Sequence, residues 1–306
     1  MGETVMDILF REEPGKSSFQ PFSATPGGSS FNSIVSVGRA GIQCAFVGYT
    51  GDDRIGHQTL DFLRRNNVQT DYFLLYDGMR SSLALAFLDR NGDAEYNFYK
   101  DVPHLQDNWP LPDFTASDAL LFGSYYAICS GMRKQVEDVV LKAHEAKATI
   151  YYDINFRRSH IGELEALMPA IQWNMEQSDI VRGSADDFDI MYGTRDANQI
   201  YNNFILPYCN NFIYTAGAGH IIVFSDGQKL DFKADNIPAE KIVSTVGAGD
   251  NFNAGFLCEL IRSELNNRDI GQLTESQWSS LVQTAIHFAS AVCQSTENNI
   301  PVNFQY

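Results

Sequence analysis

Basic residues are scarce in this chain: 22 Lys and Arg stand against 38 Asp and Glu, a formal charge of −16 at pH 7. That balance excludes a sequence-independent hold on nucleic acid or on an anionic membrane, because both rest on clustered positive charge. Long apolar runs are also missing, and none approaches the roughly 20 residues that cross a bilayer as a helix. Residues Met1 to Asp7 have neither the basic start nor the apolar core of a secretory signal, and Met6 stands where a myristoylation motif requires Ser or Thr. Cysteine is sparse: five residues, at 44, 129, 209, 258 and 293, with no Cys-x-x-Cys pair. An odd, dispersed set excludes a zinc ribbon or a disulfide framework and reads as reduced thiols of a cytoplasmic protein.

What remains is an ordinary globular composition, 44% hydrophobic and 20% charged over 306 residues. After residue 30, strand-like and helix-like patterns alternate, which predicts an α/β fold with a mostly parallel central sheet flanked by helices. The strand candidates are Ala45–Gly48, Ala119–Phe122, Thr149–Asp153, Ile180–Arg182, Phe212–Thr215 and Ile221–Phe224. Val136, Val139, Val140 and Ala143 mark one helix face; Leu281, Ala285, Phe288, Ala289 and Val292 mark another. Thr4–Phe10 reads as a further central parallel strand, short at its start and ending near Asp7. The alternation breaks at residues 72–100, which hold three strand-like pieces (Tyr72–Tyr76, Ser82–Asp89, Ala94–Tyr99) and an Asn91-Gly92 hairpin signal. Extended segments around Glu13-Pro14-Gly15 add to them. We expect one domain over residues 1–306 carrying a small β element built from about 8–25 and 72–100.

The most informative residues are Gly247-Ala-Gly-Asp250. They follow an apolar pair (Ile242, Val243) and open a helical run, Asp250 to Ile261, with Phe252, Ala254, Phe256, Leu257 and Leu260 at core spacing. Two glycines let backbone approach a ligand, and a helix N-terminus offers unpaired N–H groups and partial positive charge. A carboxylate there would repel a bound phosphate unless it works on it. It fits a base that takes the proton of a hydroxyl attacking a phosphoryl group. The bland alternative is a glycine turn with Asp250 as a helix cap. Two other nucleotide motifs fail: Gly15-Lys16-Ser17 lacks the glycine of a phosphate loop at position 10, which is Phe10, and Phe252 breaks the dinucleotide pattern.

The run Ser244 to Phe256 resembles the C-terminal signature of the ribokinase-like (PfkB) family of sugar kinases. Gly27-Gly-Ser-Ser-Phe-Asn32, then Arg39-Ala-Gly41 and Thr50-Gly-Asp-Asp53, resembles its N-terminal one. The resemblance implies a ribokinase-like sandwich whose small β element is a lid over the sugar, with a homodimer formed through that lid. It implies ATP and Mg2+, and in many relatives K+. Here Ser244 replaces the acid usual beside the monovalent-cation site, which leaves K+ open.

By the same resemblance Asp250 is the base and the N–H groups of Gly247, Ala248 and Gly249 with Asp250 form an anion hole. Asp7, Gly27, Gly28 and Asn32 match positions that contact sugar hydroxyls; the plain alternatives are a strand end for Asp7 and helix solubility for Asn32. Tyr96-Asn-Phe-Tyr-Lys100 looks like the Phe-Tyr-Arg segment of fructokinases and 2-keto-3-deoxygluconate kinases, which puts Phe98 and Lys100 on the sugar. Lysine in place of arginine loses bidentate carboxylate binding and favours a neutral sugar. Asn155 and Arg157, in Asp153-Ile-Asn-Phe-Arg157, follow a strand at the ligand edge of the sheet, although Arg157 is equally a surface ion-pair residue. Ser184 and Asp187 stand for the family's Asn-x-x-Glu, with Asp187 holding magnesium through water; a Ser-x-x-Asp helix start explains them as well. Thr215, Gly217 and Ser290 match positions near the nucleotide. The sequence therefore reads as an ATP-dependent sugar kinase, fructokinase-like, with no nucleic-acid or membrane partner. A 2-keto-3-deoxygluconate kinase and a sugar-binding regulatory homologue with weak catalysis are the alternatives.

Overall fold

Strand-forming segments sort here into two principal sheets, and partners distant in sequence decide which sheet a segment joins. The computed structural model describes residues 1–12, 19–88, 94–101, 109–217, 220–234 and 237–306. The N-terminal part runs β1 (Val5–Glu12), β2 (Phe19–Gly27), α1 (Ser29–Arg39), β3 (Cys44–Ala45), β4 (Gly48–Gly51) and α2 (Arg54–Arg65). Next come β5 (Val68–Gln69), β6 (Phe73–Tyr76), β7 (Leu83–Leu88), β8 (Ala94–Tyr99), β9 (Ala119–Gly123), α3 (Arg133–Glu145) and β10 (Thr149–Asp153). α4 (Leu164–Glu176), β11 (Ile180–Ser184), α5 (Ala185–Tyr192), α6 (Ala197–Ile200), β12 (Phe212–Ala216), β13 (His220–Ser225) and β14 (Gln228–Phe232) follow. The chain closes with α7 (Ala248–Arg262), α8 (Asn267–Ile270) and α9 (Glu275–Cys293). The Asn91-Gly92 turn and Glu13-Pro14-Gly15 lie outside the described residues, as does the Gly15-Lys16-Ser17 triplet.

The larger sheet has the order β14-β13-β12-β11-β10-β9. β9 to β12 are parallel, and β13 and β14 add an antiparallel edge. Every position of β10 is buried, because helices cover both faces of the sheet. Period-two alternation sends Ile150 and Tyr152 toward α3 to α5, where Val136, Val139, Ile171 and Phe188 pack. Tyr151 points the other way, onto Phe256 and Leu260 of α7 and Trp278 and Leu281 of α9. This is the helix-flanked α/β sandwich that the alternation of patterns predicts. Among the described residues no helix is long and apolar enough to cross a membrane.

The second sheet has the order β2-β1-β7-β8. It corrects two expectations. Thr4–Phe10 is not a strand of the central sheet: β1 pairs antiparallel with β2 and parallel with β7, and the two ladders occupy both its edges. The residues before it bond to the main layer, where Met1 N donates to Leu121 O (2.7 Å), Gly2 N to Val47 O (3.1 Å) and Thr4 Oγ1 to Tyr49 O (3.2 Å). Likewise Phe73–Tyr76 belongs not to the small sheet but to β4, with which it pairs in parallel. The small sheet thus uses 5–12, 19–27, 83–88 and 94–99 rather than all of 8–25 and 72–100. The expected strand Ala45–Gly48 divides at Phe46 and Val47, its halves pairing separately with β5 and β6.

Candidate active site

The N-terminal ends of α1 and α7 meet along a seam of short polar side chains. Ser29, Ser33 and Ser36 fall four and three residues apart and so share one face of α1. Ser29 Oγ donates to Asp250 Oδ1 (2.7 Å), Ser33 Oγ to the Asp250 carbonyl (2.8 Å) and Ser36 Oγ to Asn251 Oδ1. Asn32 Nδ2 donates to Asp250 Oδ2 (2.9 Å), while its own Oδ1 is buried without a hydrogen-bond partner. Asn251, wholly buried, donates through Nδ2 to Gly247 O and Asn298 O, both at 2.8 Å. That brace holds Gly247 at φ +80°, a left-handed conformation that glycine adopts freely, and so starts α7. Ala248 N is drawn to Thr245 O at 3.3 Å. The first-turn N–H groups of Gly249 and Asp250 are left for an anion.

Asp7 reaches the same place from the small sheet. A Cβ on Gly27 would collide with Asp7 Oδ2 and would lie 3.9 Å from Asn32 Oδ1, so glycine at 27 makes room for a polar pocket. Gly28, at φ +124°, caps α1 where a Cβ would meet Glu3 O at 2.5 Å. Burial pushes the Asp7 carboxyl up to about 6, and the charge of Asp250 adds to the rise. Burial also raises the Asp250 carboxyl; the bonds from Asn32 and Ser29 oppose it, Asp153 reinforces it and Arg157 lowers it. Two carboxylates, one on the small sheet and one on α7, thus share one desolvated pocket. Asp7 keeps its expected neighbours even though its strand belongs elsewhere.

Register aligns the rest of the small sheet with Asp7. Asp7 faces Ala84 across β1 and β7, and Ala84 faces Phe98 across β7 and β8, so the three share a face. Phe98 is 56% exposed there, and Lys100 Nζ lies 5.6 Å from its ring centre. The side chain of Tyr96 lies outside the described residues. Lys100 is engaged: its Nζ pairs with Glu3 Oε2 at 2.7 Å. Asn155 is buried in a left-handed turn (φ +41°) after β10. Arg157 is exposed and has no ion-pair partner among the described residues, yet its charge reaches Asp250, which favours a role at the site over a surface pair.

The nucleotide-side residues fare differently. Ser184 caps α5 by accepting from Asp187 N, and Asp187 Oδ2 accepts from Ser184 N (2.6 Å) and Ser184 Oγ (2.8 Å). Burial raises the Asp187 carboxyl, with Arg182 pulling it down. A helix start accounts for the hydrogen bonds of both residues. Among the described residues no group of three or more His, Cys, Asp or Glu could hold a metal ion. Thr215 Oγ1 accepts from Arg182 Nη2 (2.8 Å), Gly217 turns the chain at φ +58°, and the Ser290 carbonyl accepts from Gln294 Nε2 (3.1 Å). Ser244 Oγ accepts from Val246 N (3.1 Å) within a local turn. Sequence reasoning missed Ser29, Ser33, Asn251, Arg182 and Glu3. The serine spacing on α1 was a usable signal, and Asn251 stood beside Asp250 in the same motif; Arg182 and Glu3 came from elements too far apart in sequence.

Comparison with known proteins gives the family and the fold. The model of the pfkB family of carbohydrate kinases matches residues 1–303. A fructokinase of Rhizobium leguminosarum bv. trifolii is 30% identical over 282 residues, covering 90% of this chain and 83% of its own. A probable fructokinase-5 of Arabidopsis thaliana is 27% identical over 296 residues, covering 92% of this chain and 85% of its own. Aminoimidazole riboside kinase from Salmonella enterica, solved with aminoimidazole riboside and an ATP analog, superposes with a TM-score of 0.80 at 20% identity, over 99% of this chain and 96% of that one. Fructokinase with bound ATP from Xylella fastidiosa gives a TM-score of 0.78 at 20% identity, over 96% and 91%. The fold is ribokinase-like, and the chain belongs to the pfkB family of carbohydrate kinases.

Proposed function

We propose that this kinase transfers the γ-phosphate of ATP to a hydroxyl of a small neutral sugar, with fructose the first choice. One observation carries the reading: a desolvated carboxylate, Asp250, is clamped by Ser29 and Asn32 in the first turn of a helix whose free N–H groups suit a phosphate. Asp250 takes the proton of the sugar hydroxyl as its oxygen bonds to the γ-phosphorus. The bond from that phosphorus to the β-phosphate oxygen breaks, and ADP leaves. The N–H groups of Gly249 and Asp250 stabilise the charge that gathers on the transferred group. Asp7, the unpartnered Asn32 Oδ1 and Asn155 offer acceptors for the remaining hydroxyls, Gly27 and Gly28 give them room, and Arg157 meets substrate or phosphate. Phe98 covers the sugar when the small sheet closes as a lid. Thr215, Gly217 and Ser290 border the nucleotide. Magnesium enters with ATP as part of the substrate, and potassium has no assigned part. A cytoplasmic setting suits the five free cysteines.

The pairing of Lys100 with Glu3 favours a neutral sugar, since a substrate carboxylate would have to displace an acid already in place. The test is steady-state ADP release with ATP and magnesium over a panel of sugars, with fructose expected to have the highest kcat/KM. A preference for 2-keto-3-deoxygluconate would overturn the neutral-sugar reading. Binding of sugar and ATP without turnover would instead make the protein a sensor. The other face of the small sheet carries Ile8, Phe10, Leu83, Leu85 and Tyr99, only partly covered, and we assign it to a second copy of the chain. Sedimentation should give a dimer, and a monomer at micromolar concentration would refute that assignment.

A further inference from the structure

Among the described residues Arg182 is the one cation in the buried network of β10, β11 and β12 behind the 247–250 turn. It is 7% exposed. Its Nη1 donates to Asp153 Oδ1 (3.0 Å) and its Nη2 to Thr215 Oγ1 (2.8 Å), while its Nε is buried without a partner. A Cβ on Gly249 would lie 3.1 Å from Nη2, 3.3 Å from Nη1 and 3.5 Å from Cζ, so the flat of the guanidinium lies against the second glycine of the turn. The network continues into α7, where Asn253 Nδ2 donates to Asp153 Oδ2 (2.7 Å) and Tyr151 OH donates to Asn253 Oδ1 (3.0 Å).

A buried ion pair adds little to stability by itself, because desolvation offsets the attraction. Here the pair sits where charge matters for another reason. Asp153 and Asp187 are both buried and both act on Arg182, which lies against a turn that must stay positive to receive phosphate. Without a cation between them they would oppose the potential of the N–H groups. Burial works against the Arg182 charge, yet Asp153, Tyr151 and Asp187 hold it protonated.

We propose that Arg182 is a positioning residue of the phosphate site, whose fixed charge, laid against Gly249, neutralises Asp153 and Asp187 and keeps the 247–250 turn attractive to the triphosphate. This rests on the reading of that turn as the phosphate site. Two substitutions separate charge from scaffolding. Arg182→Lys keeps the charge and loses the planar fork; Arg182→Gln keeps hydrogen bonding toward Asp153 and loses the charge. Calorimetric titration of wild type and both variants with MgATP, and separately with fructose, reads the proposal without requiring turnover. The glutamine variant should bind MgATP about tenfold more weakly, with fructose affinity unchanged, and the lysine variant should lie nearer wild type. Where turnover is measurable, kcat should fall by about 10- to 100-fold in the glutamine variant, less than the loss of a direct oxyanion donor. A glutamine variant that binds MgATP as wild type does, or better than the lysine variant, overturns the proposal. Should either variant fail to fold, the other compared with wild type still decides it: unchanged MgATP affinity in Arg182→Gln, or a glutamine-sized loss in Arg182→Lys, goes against it. Wild type that binds MgATP but phosphorylates no sugar would count against the kinase reading alone.

Discussion

Asp250→Asn is the substitution that most directly examines the chemistry. Asparagine keeps the size of the side chain and replaces one oxygen by an NH2 group. Ser29 can still donate to the remaining oxygen. The Asn32 amide can turn over, so that its Oδ1, buried now without a partner, accepts from the new NH2. The pocket therefore tolerates the change, and removing a carboxylate that burial disfavours should leave the fold at least as stable near neutral pH. The loss falls on the proton transfer. General-base catalysis is worth about 10²- to 10⁴-fold, or about 2.7–5.4 kcal/mol of barrier at ~1.36 kcal/mol per decade. We expect kcat to drop within that span while the dissociation constants for sugar and ATP move by a few-fold at most. The wild-type rate should also fall with acid along a limb set above the ordinary carboxylate value of 3.8, because the base must be ionised to act. The residual rate of the variant should lack that limb. Coupled ADP-release kinetics from acid to neutral pH measure both. A variant retaining more than about a tenth of wild-type turnover would refute the assignment of Asp250 as base.

Asp7→Asn should make the protein more stable and less active. The native carboxyl titrates near 6 instead of 3.8, so ionised Asp7 destabilises the fold increasingly as pH rises between those values and fully above 6. Thermal melts should show a gain of up to about 3 kcal/mol at pH 8 that vanishes below pH 4, together with weaker sugar binding; equal melts at both pH values would contradict this. Lys100→Met should weaken fructose by about 0.5–1.5 kcal/mol, the worth of one hydrogen bond, and a much larger loss in kcat/KM confined to sugar acids would show that Lys100 meets a carboxylate. Asn251→Ala removes three side-chain hydrogen bonds, those donated to Gly247 O and Asn298 O and the one accepted from Ser36, while Gly247 O keeps the backbone N–H of residue 251 (2.9 Å) and Ser36 Oγ still accepts from Ile300 N (3.1 Å). It should cost about 2–4 kcal/mol in urea unfolding, and a loss below 1 kcal/mol would mean the turn holds itself.

Local signals carried much of the architecture. β10 was legible because a short run of β-branched and aromatic residues, Thr149 to Tyr152, between Lys147 and Asp153 reads as a strand buried on both faces, and α9 because five apolar residues recur at helical spacing. The 247–250 turn was legible because its chemistry is contained in four adjacent residues. Sheet membership was not. Val5–Glu12 has the apolar character of any strand, and its place is set by Leu83–Leu88 and Phe19–Gly27, which no local pattern links to it. The same holds for Phe73–Tyr76 and β4. The Arg182 network escaped for a similar reason: Asp153, Arg182, Thr215 and Asn253 come from three strands and a helix, and each looks unremarkable in its own segment. Ser184 and Asp187 were open to two readings, and the hydrogen bonds between them favour the helix start.

Asp7 and Asp250 hang from different bodies, one on the small sheet and one on a helix of the main layer. Any rotation of the sheet toward the helix would bring two like charges closer, so with both ionised the pair acts as an electrostatic spring that resists closing. A guest that donates a hydroxyl to each carboxylate unloads the spring, because each charge then faces a proton instead of its twin. Under the proposed function, closure would then follow from having a polyol in place between the two carboxylates rather than from any separate latch.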